Sequence, residues 1–481
     1  MAGIGFELKK LFAKKGILLR ARANLYASLV VAGPMIMGVL LLLGAKFVSR
    51  FGGASGHQQD LIVVIITYSL LFSLLLSSLV LFVLARYVAD MLYINAHERI
   101  LPSMYGALSL LLVIGGILWF IFLLFSGIEM KYAVYSFILF CEGLVVWVQI
   151  NYVTAIKEYQ SMLIGFVVAV LTGLLIGLLL VLLKYDVIAA VLAGACIAYG
   201  LLMVDFTLVL HKFFPIGSGN PVKFLEWFDE YPHLIFVGFF STLALFAHLM
   251  IMWASPWGER VEGLFYYAPP HDIPALFAFT TSLVTTVVFV TSVEVNFYPK
   301  YRLYFSLLNG NGSLNDIERA HEDMVAVLRQ EILHLAIQQV FVTIVAVIVI
   351  GEILVYFPLG FTSVMIGTFR ILCVGYGAYA IGNSVMLFLL YFAANEDALW
   401  SVIPFLSINI LGTLYTLALP ESYYGFGFVV ASVVYYLVAE ARLFGYTSRL
   451  DFYILTKQPV FLVKKRGFFS RLVNRLEGKL A

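Results

Sequence analysis

Apolar residues run along this chain in blocks close to twenty residues long, separated by short polar or charged segments. Twenty helical residues rise about 30 Å, the thickness of a bilayer's hydrocarbon core, so each block predicts a membrane-spanning helix. Twelve such blocks lie near 25–47, 61–86, 103–126, 132–154, 162–183, 187–211, 233–254, 272–298, 330–357, 368–393, 399–419 and 427–447. The fifth and sixth are parted only by Lys184, Tyr185 and Asp186. The pattern predicts an all-α polytopic membrane protein with twelve transmembrane helices in two six-helix lobes.

The breakers Pro215, Gly217, Gly219 and Pro221 mark where the lobes join. The expected organisation is a segment 1–24, a lobe 25–211, a linker 212–232, a second lobe 233–447 and a tail 448–481. Six is even, so the second lobe re-enters from the same face as the first, and a repeat axis would run along the membrane normal. The connection 299–330 is the longest within a lobe on its face. Asn309-Gly310-Asn311-Gly312 reads as a turn, and Ser313 with Asp316 as the cap of a helix leading into the ninth span.

Charge sets the orientation. With the N-terminus inside, the cytoplasmic segments hold 24 Lys and Arg and the opposite connections 5, which predicts that both termini are cytoplasmic. The opening MAGIGFELKKLFAKKGILLRARANLY therefore reads as a basic flank to a retained first span, not as a cleaved leader. Ile4, Leu8, Leu11, Phe12, Leu18 and Leu19 recur at helical spacing, with Lys9, Lys10 and Lys14 on other faces. That is the pattern of an amphipathic helix on an anionic leaflet, or simply of a positive flank. The tail repeats the character, with Lys464 and Lys465 among Phe468, Phe469 and Leu472. Lys9, Lys10, Lys14, Arg302, Lys464 and Lys465 are the docking candidates for membrane or partner.

Composition excludes several classes. At 481 residues, 62% hydrophobic and only 12% charged, with mean hydropathy +0.98, most of the chain is built for lipid. A net charge of +2 is too small for a nucleic-acid binder. Cys141, Cys196 and Cys373 sit singly in apolar runs and form neither a disulfide framework nor a zinc spacing. Walker A and HExxH patterns are absent, so no enzyme, metal or cofactor is expected.

Ionisable groups inside spans remain. Each costs about 2.5–3.5 kcal/mol at a lipid-facing helix centre, so each should face protein or a water-filled path. Glu142 is the deepest, suited to proton coupling, to a sugar hydroxyl or to an interhelical hydrogen bond. Asp205, Glu294 with Asn296, and Glu440 lie toward cytoplasmic ends. Gln149, Asn151, Asn383 and the pair Gln338-Gln339 add neutral hydrogen-bonding groups. Glu142, Gln149, Asn151, Asp205, Glu294, Asn296 and Asn383 are the substrate-path or coupling candidates. Glu352 and Arg370 stand at similar depth on consecutive spans and form a candidate structural ion pair.

The opening MAGIGFELKKL and the segment EVNFYPKYRLYFSLLNG resemble the Pel exopolysaccharide inner-membrane transporter family, the Pel G component, within the multidrug/oligosaccharidyl-lipid/polysaccharide flippase superfamily. That resemblance implies two lobes around a central cavity and export of an N-acetylhexosamine-rich polymer across a bacterial inner membrane. It also implies a cytosolic glycosyltransferase and small membrane subunits, including a cyclic di-GMP receptor, as partners. The alternatives are an ion-coupled exporter or flippase of a small-molecule or lipid-linked oligosaccharide, and a membrane scaffold anchoring a synthase.

Overall fold

The computed structural model describes residues 38–156, 159–217, 219–310, 312–356, 360–457 and 467–480. Eleven helices among them are long and apolar enough to cross a membrane, and they fall on the second to twelfth predicted blocks. Of the first block, residues 38–51 are helical (α1). The rest of it, with Lys9, Lys10 and Lys14, lies outside the described residues, as do Lys464 and Lys465. The chain is a multi-pass, mostly helical membrane protein.

Contacts divide the described residues into two units, 38–246 with 252–269 and 467–480, and 247–251 with 270–457. The first unit contains α2 (Gly56–Tyr93), α3 (Ile100–Ser126), α4 (Met130–Ile156), α5 (Tyr159–Leu182) and α6 (Val187–Phe213). It also holds most of α7 (Pro232–Trp253), and a hairpin of β1 (Glu259–Glu262) and β2 (Phe265–Tyr267) that the sequence pattern did not foresee. The hairpin is tied to α2 by side chains. Tyr68 Oη donates to the Tyr266 carbonyl at 2.9 Å, its ring stacks on Trp253 at 4.6 Å, and His57 Nε2 lies 2.9 Å from the Val261 carbonyl.

The second unit contains α8 (Pro269–Thr280), α9 (Leu283–Thr291), α10 (Tyr298–Leu308), α11 (Leu314–Val345), α12 (Ser363–Tyr391), α13 (Asn395–Leu417), α14 (Phe426–Thr447) and α15 (Leu450–Lys457). The predicted cap is present: Ser313 Oγ accepts from the Asp316 N–H and opens α11, whose far end enters the membrane block. The cytoplasm-facing part of α11 as read from the sequence is not bare. Asp323 pairs with Lys300 at 2.7 Å, and Arg329 lies over the Phe444 ring.

The eighth block lies within one candidate span, Pro269–Leu308, but the α-helix inside it is irregular. Hydroxyls at Thr280, Thr281 and Ser282 turn back to the carbonyls of Phe277, Ala278 and Phe279, competing with the helix ladder where α8 gives way to α9. Beyond α9, Ser292–Phe297 form a π turn before α10 begins. Elsewhere small residues let helices approach. A Cβ on Gly173 of α5 would collide with the Gly194 carbonyl of α6, and a Cβ on Gly427 of α14 would collide with the Thr413 N–H of α13. In lipid, where apolar burial gives helices no reason to associate, such close backbone packing supplies the attraction.

After the spans, α16 (Phe468–Leu480) belongs to the first unit. Asp229, in the short helix Glu226–Glu230, accepts from the backbone N–H groups of Phe469 (3.3 Å) and Ser470 (2.7 Å) and from the Ser470 hydroxyl (2.7 Å). The carboxylate thus satisfies N–H groups that the first turn of any helix leaves unpaired.

Candidate functional site

In the first unit the polar candidates gather on α4 and α6. Gln149 donates to the Met203 carbonyl (3.2 Å) and the Thr207 hydroxyl (2.8 Å), pinning α4 to α6, while Asn151 donates to the Leu81 carbonyl of α2 at 2.6 Å. These bonds use amide N–H groups and leave acceptors behind. Glu142 Oε2, Gln149 Oε1 and Asp205 Oδ2 are buried with no hydrogen-bond partner among the described residues. Glycines make room for both carboxylates. A Cβ at Gly200 would come within 3.1 Å of Glu142 Oε1, and one at Gly165 would collide with Asp205 Oδ2. A buried oxygen without a donor costs about 1–3 kcal/mol, more when charged, so this unit holds a set of acceptors whose donors are not supplied by the described protein.

In the second unit Asn296 donates to Glu331 Oε1 at 2.8 Å, joining the π turn to α11. Glu331 is buried, a carboxylate the sequence reading passed over because it sits at the boundary of an apolar block. The Glu294 side chain lies outside the described residues. Asn383 is half-buried on α12, and Arg302 is exposed on α10. Arg370 Nη2 lies 2.5 Å from Glu352 Oε1, and Arg370 Nε donates to the Val347 carbonyl, so the guanidinium also serves the irregular end of the ninth block.

The second unit also contains a cluster that the sequence reading missed. His248 on α7 and His271 on α8 are fully buried, with His248 Nδ1 2.8 Å from His271 Nε2. His248 Nε2 lies 3.2 Å from Tyr376 Oη on α12, and its ring stacks on Phe428 of α14 at 4.2 Å. Four helices meet there. The only hint in the sequence was a histidine inside LFAHLMIMW and another in APPHD, separated by the unforeseen hairpin.

The chain is matched by a family model described as PelG, an exopolysaccharide exporter (EPS-E), over residues 1–455. No curated protein matches it. Among solved structures it is similar to the outward-facing conformation of a multidrug resistance MATE family transporter of the MOP superfamily, with TM-score 0.54 and 14% identity over 90% of this chain and 97% of that one. It is also similar to the Vibrio cholerae MATE transporter VcmN in the bent form, with TM-score 0.52 and 14% identity over 88% and 98%. A MOP superfamily transporter from Pyrococcus furiosus matches with TM-score 0.51 and 12% identity over 88% and 96%. At these identities the likeness is one of fold.

Proposed function

Because the chain belongs to the PelG exopolysaccharide exporter family, we propose that it carries a nascent, N-acetylhexosamine-rich exopolysaccharide across a bacterial inner membrane, receiving the polymer from a cytosolic glycosyltransferase. The observation that carries this reading is the family match across 1–455, which spans both described units instead of one module. In this reading both termini face the cytoplasm, where the basic asymmetry of the connections would hold them. The docking candidates Lys9, Lys10, Lys14, Arg302, Lys464 and Lys465 serve the glycosyltransferase, the anionic leaflet or small membrane subunits, one of them a cyclic di-GMP receptor.

The chemistry of the first unit supports such a cargo. A hexosamine polymer presents hydroxyl and amide N–H donors at every sugar, and α4 and α6 present acceptor oxygens without donors at Glu142, Gln149 and Asp205. A relay of single, spaced acceptors holds a sliding chain weakly at each step, as conduction of a long substrate requires.

The test is translocation by the intact chain in vesicles that also carry the glycosyltransferase. Polymer made on the enzyme's side should become resistant to a glycan hydrolase added on that side. Polymer that stays fully digestible, with both proteins present and folded, would sink the proposal.

A further inference from the structure

Tyr376, His248 and His271 form a continuous chain of polar atoms buried in the second unit: Oη to Nε2 at 3.2 Å, then Nδ1 to Nε2 at 2.8 Å. It ends at His271 Nδ1, which is buried and has no hydrogen-bond partner among the described residues. A neutral imidazole has one N–H and one lone pair, so the chain admits two arrangements. Either Tyr376 donates to His248, which donates to His271, leaving an unsatisfied Nδ1–H, or the sense is reversed and Nδ1 is a bare lone pair. Both leave the cost of an unpaired polar atom at the same place. A structure that bears this cost at one end of an ordered chain has an atom ready to exchange.

We propose that this chain is the proton-binding site through which an imposed proton gradient drives the exporter, a reading that rests on the exporter function above. A proton adds to the lone pair of His271 Nδ1. The proton on His271 Nε2 then passes to His248 Nδ1, leaving His271 neutral and His248 an imidazolium whose Nε2–H points at Tyr376 Oη. One proton enters, one positive charge results, and no other bond changes. The Phe428 ring stacked on His248 accepts that charge on its π face. The groups around the array are Asp272 beside His271 on α8, Cys373 and Tyr379 on α12 with Tyr376, and Tyr435 of α14 stacked behind Tyr379. Asp272 is the nearby acid among them. Uptake couples α7, α8, α12 and α14, because each contributes a side chain to the array.

The site can be read without any transport. The full chain with 15N-labelled histidine, in lipid bilayers, is followed by solid-state NMR from about pH 4 to 9, the range in which imidazoles change charge. The signals assigned by His248→Gln and His271→Gln should move together and account for one proton, as coupled groups do. In His271→Gln the His248 signal should stop moving. Two rings that stay neutral throughout, or that titrate independently, would overturn the proposal. In polymer-exporting vesicles, an imposed pH gradient should accelerate the wild type, and His271→Gln of unchanged thermal midpoint should lose that acceleration. An unaltered response would equally overturn it. Vesicles in which even the wild type exports nothing, while the rings titrate as a pair, would refute the exporter reading and leave the proton site standing.

Discussion

The seat of α16 on Asp229 gives the most quantitative expectation. Asp229→Ala removes three hydrogen bonds, two of them from backbone N–H groups at the start of the helix. Losing a side-chain cap typically costs about 1 kcal/mol, and bonds to a charged acceptor are stronger than neutral ones. The site is only half-buried, so the total is set at about 1–2 kcal/mol, a shift of roughly 5- to 30-fold in the docking equilibrium of α16. Hydrogen exchange at the Phe469 and Ser470 amides should accelerate by that factor, with exchange in α2 to α6 unchanged. The effect also has a pH signature. Burial by itself raises the Asp229 pKa, but the Ser470 N–H and hydroxyl, the Phe469 N–H and the nearby Arg471 outweigh it and hold the carboxyl below its ordinary 3.8. A value lower in the docked state than in the free state means that the contribution is complete above 3.8 and is lost as pH falls through the lowered value. Protection of the two amides, taken relative to intrinsic exchange at each pH, should therefore be flat from neutral pH down to 3.8 and fall below it in the wild type, and the fall should vanish in Asp229→Ala. Equal protection of α16 in both proteins at neutral pH would refute the capping argument.

The same geometry gives four further outcomes. Glu142→Gln keeps shape and an acceptor, so polymer export per folded molecule should largely persist, whereas Glu142→Leu should lower abundance first; loss of export in folded Glu142→Gln would assign the carboxyl a proton instead. Gly427→Leu forces a side chain into the Thr413 backbone, and overpacking of this kind costs about 1–3 kcal/mol, so the thermal midpoint should fall, while Gly445→Leu, with open space at its Cβ, should be neutral. Arg370→Ala should reduce membrane yield and exchange of the Glu352 and Arg370 charges should partly restore it, because the pair is close enough to test by reciprocal substitution. Cysteines at Gly310 and Gly258 should label from opposite faces of the membrane in intact cells; external access at 310 would invert the orientation.

Eleven of the twelve apolar blocks appear as spanning-length helices because the signal behind them is cumulative. Twenty apolar residues outweigh any single misplaced group, and Pro404 within α13 or Gln149 within α4 does not disturb the count. The departures depend on a few atoms. Thr280, Thr281 and Ser282 scan as ordinary members of an apolar block, and nothing in one-dimensional hydropathy shows that their hydroxyls will take carbonyls from the helix ladder. The α11 cap was legible because Ser313 and Asp316 are three residues apart. The His248 and His271 pair was not, because its partner on α12 is 128 residues from His248 and only folding brings them together. Gln149 illustrates a third limit: its type and depth were readable, but not that its N–H groups serve Met203 and Thr207 while its oxygen serves no described group.

The π turn at Ser292–Phe297 sets the screw register of α10, the helix it leads into. A π turn closes its hydrogen bond over one more residue than an α turn, and one residue is about 100° of rotation around the helix axis. Tyr301, which meets Tyr391 edge-on at 4.8 Å, and Tyr304, whose hydroxyl reaches Asp451, owe their bearing to that surplus residue. Wound as a plain α-helix, the same sequence would point both rings about a quarter-turn or more away from those neighbours. The irregularity is thus an azimuthal adjustment in the middle of the segment that fits an aromatic cluster at its end. Removing one residue from 292–297 would make the helix more regular and the protein less well packed, the reverse of the usual relation between regularity and fit.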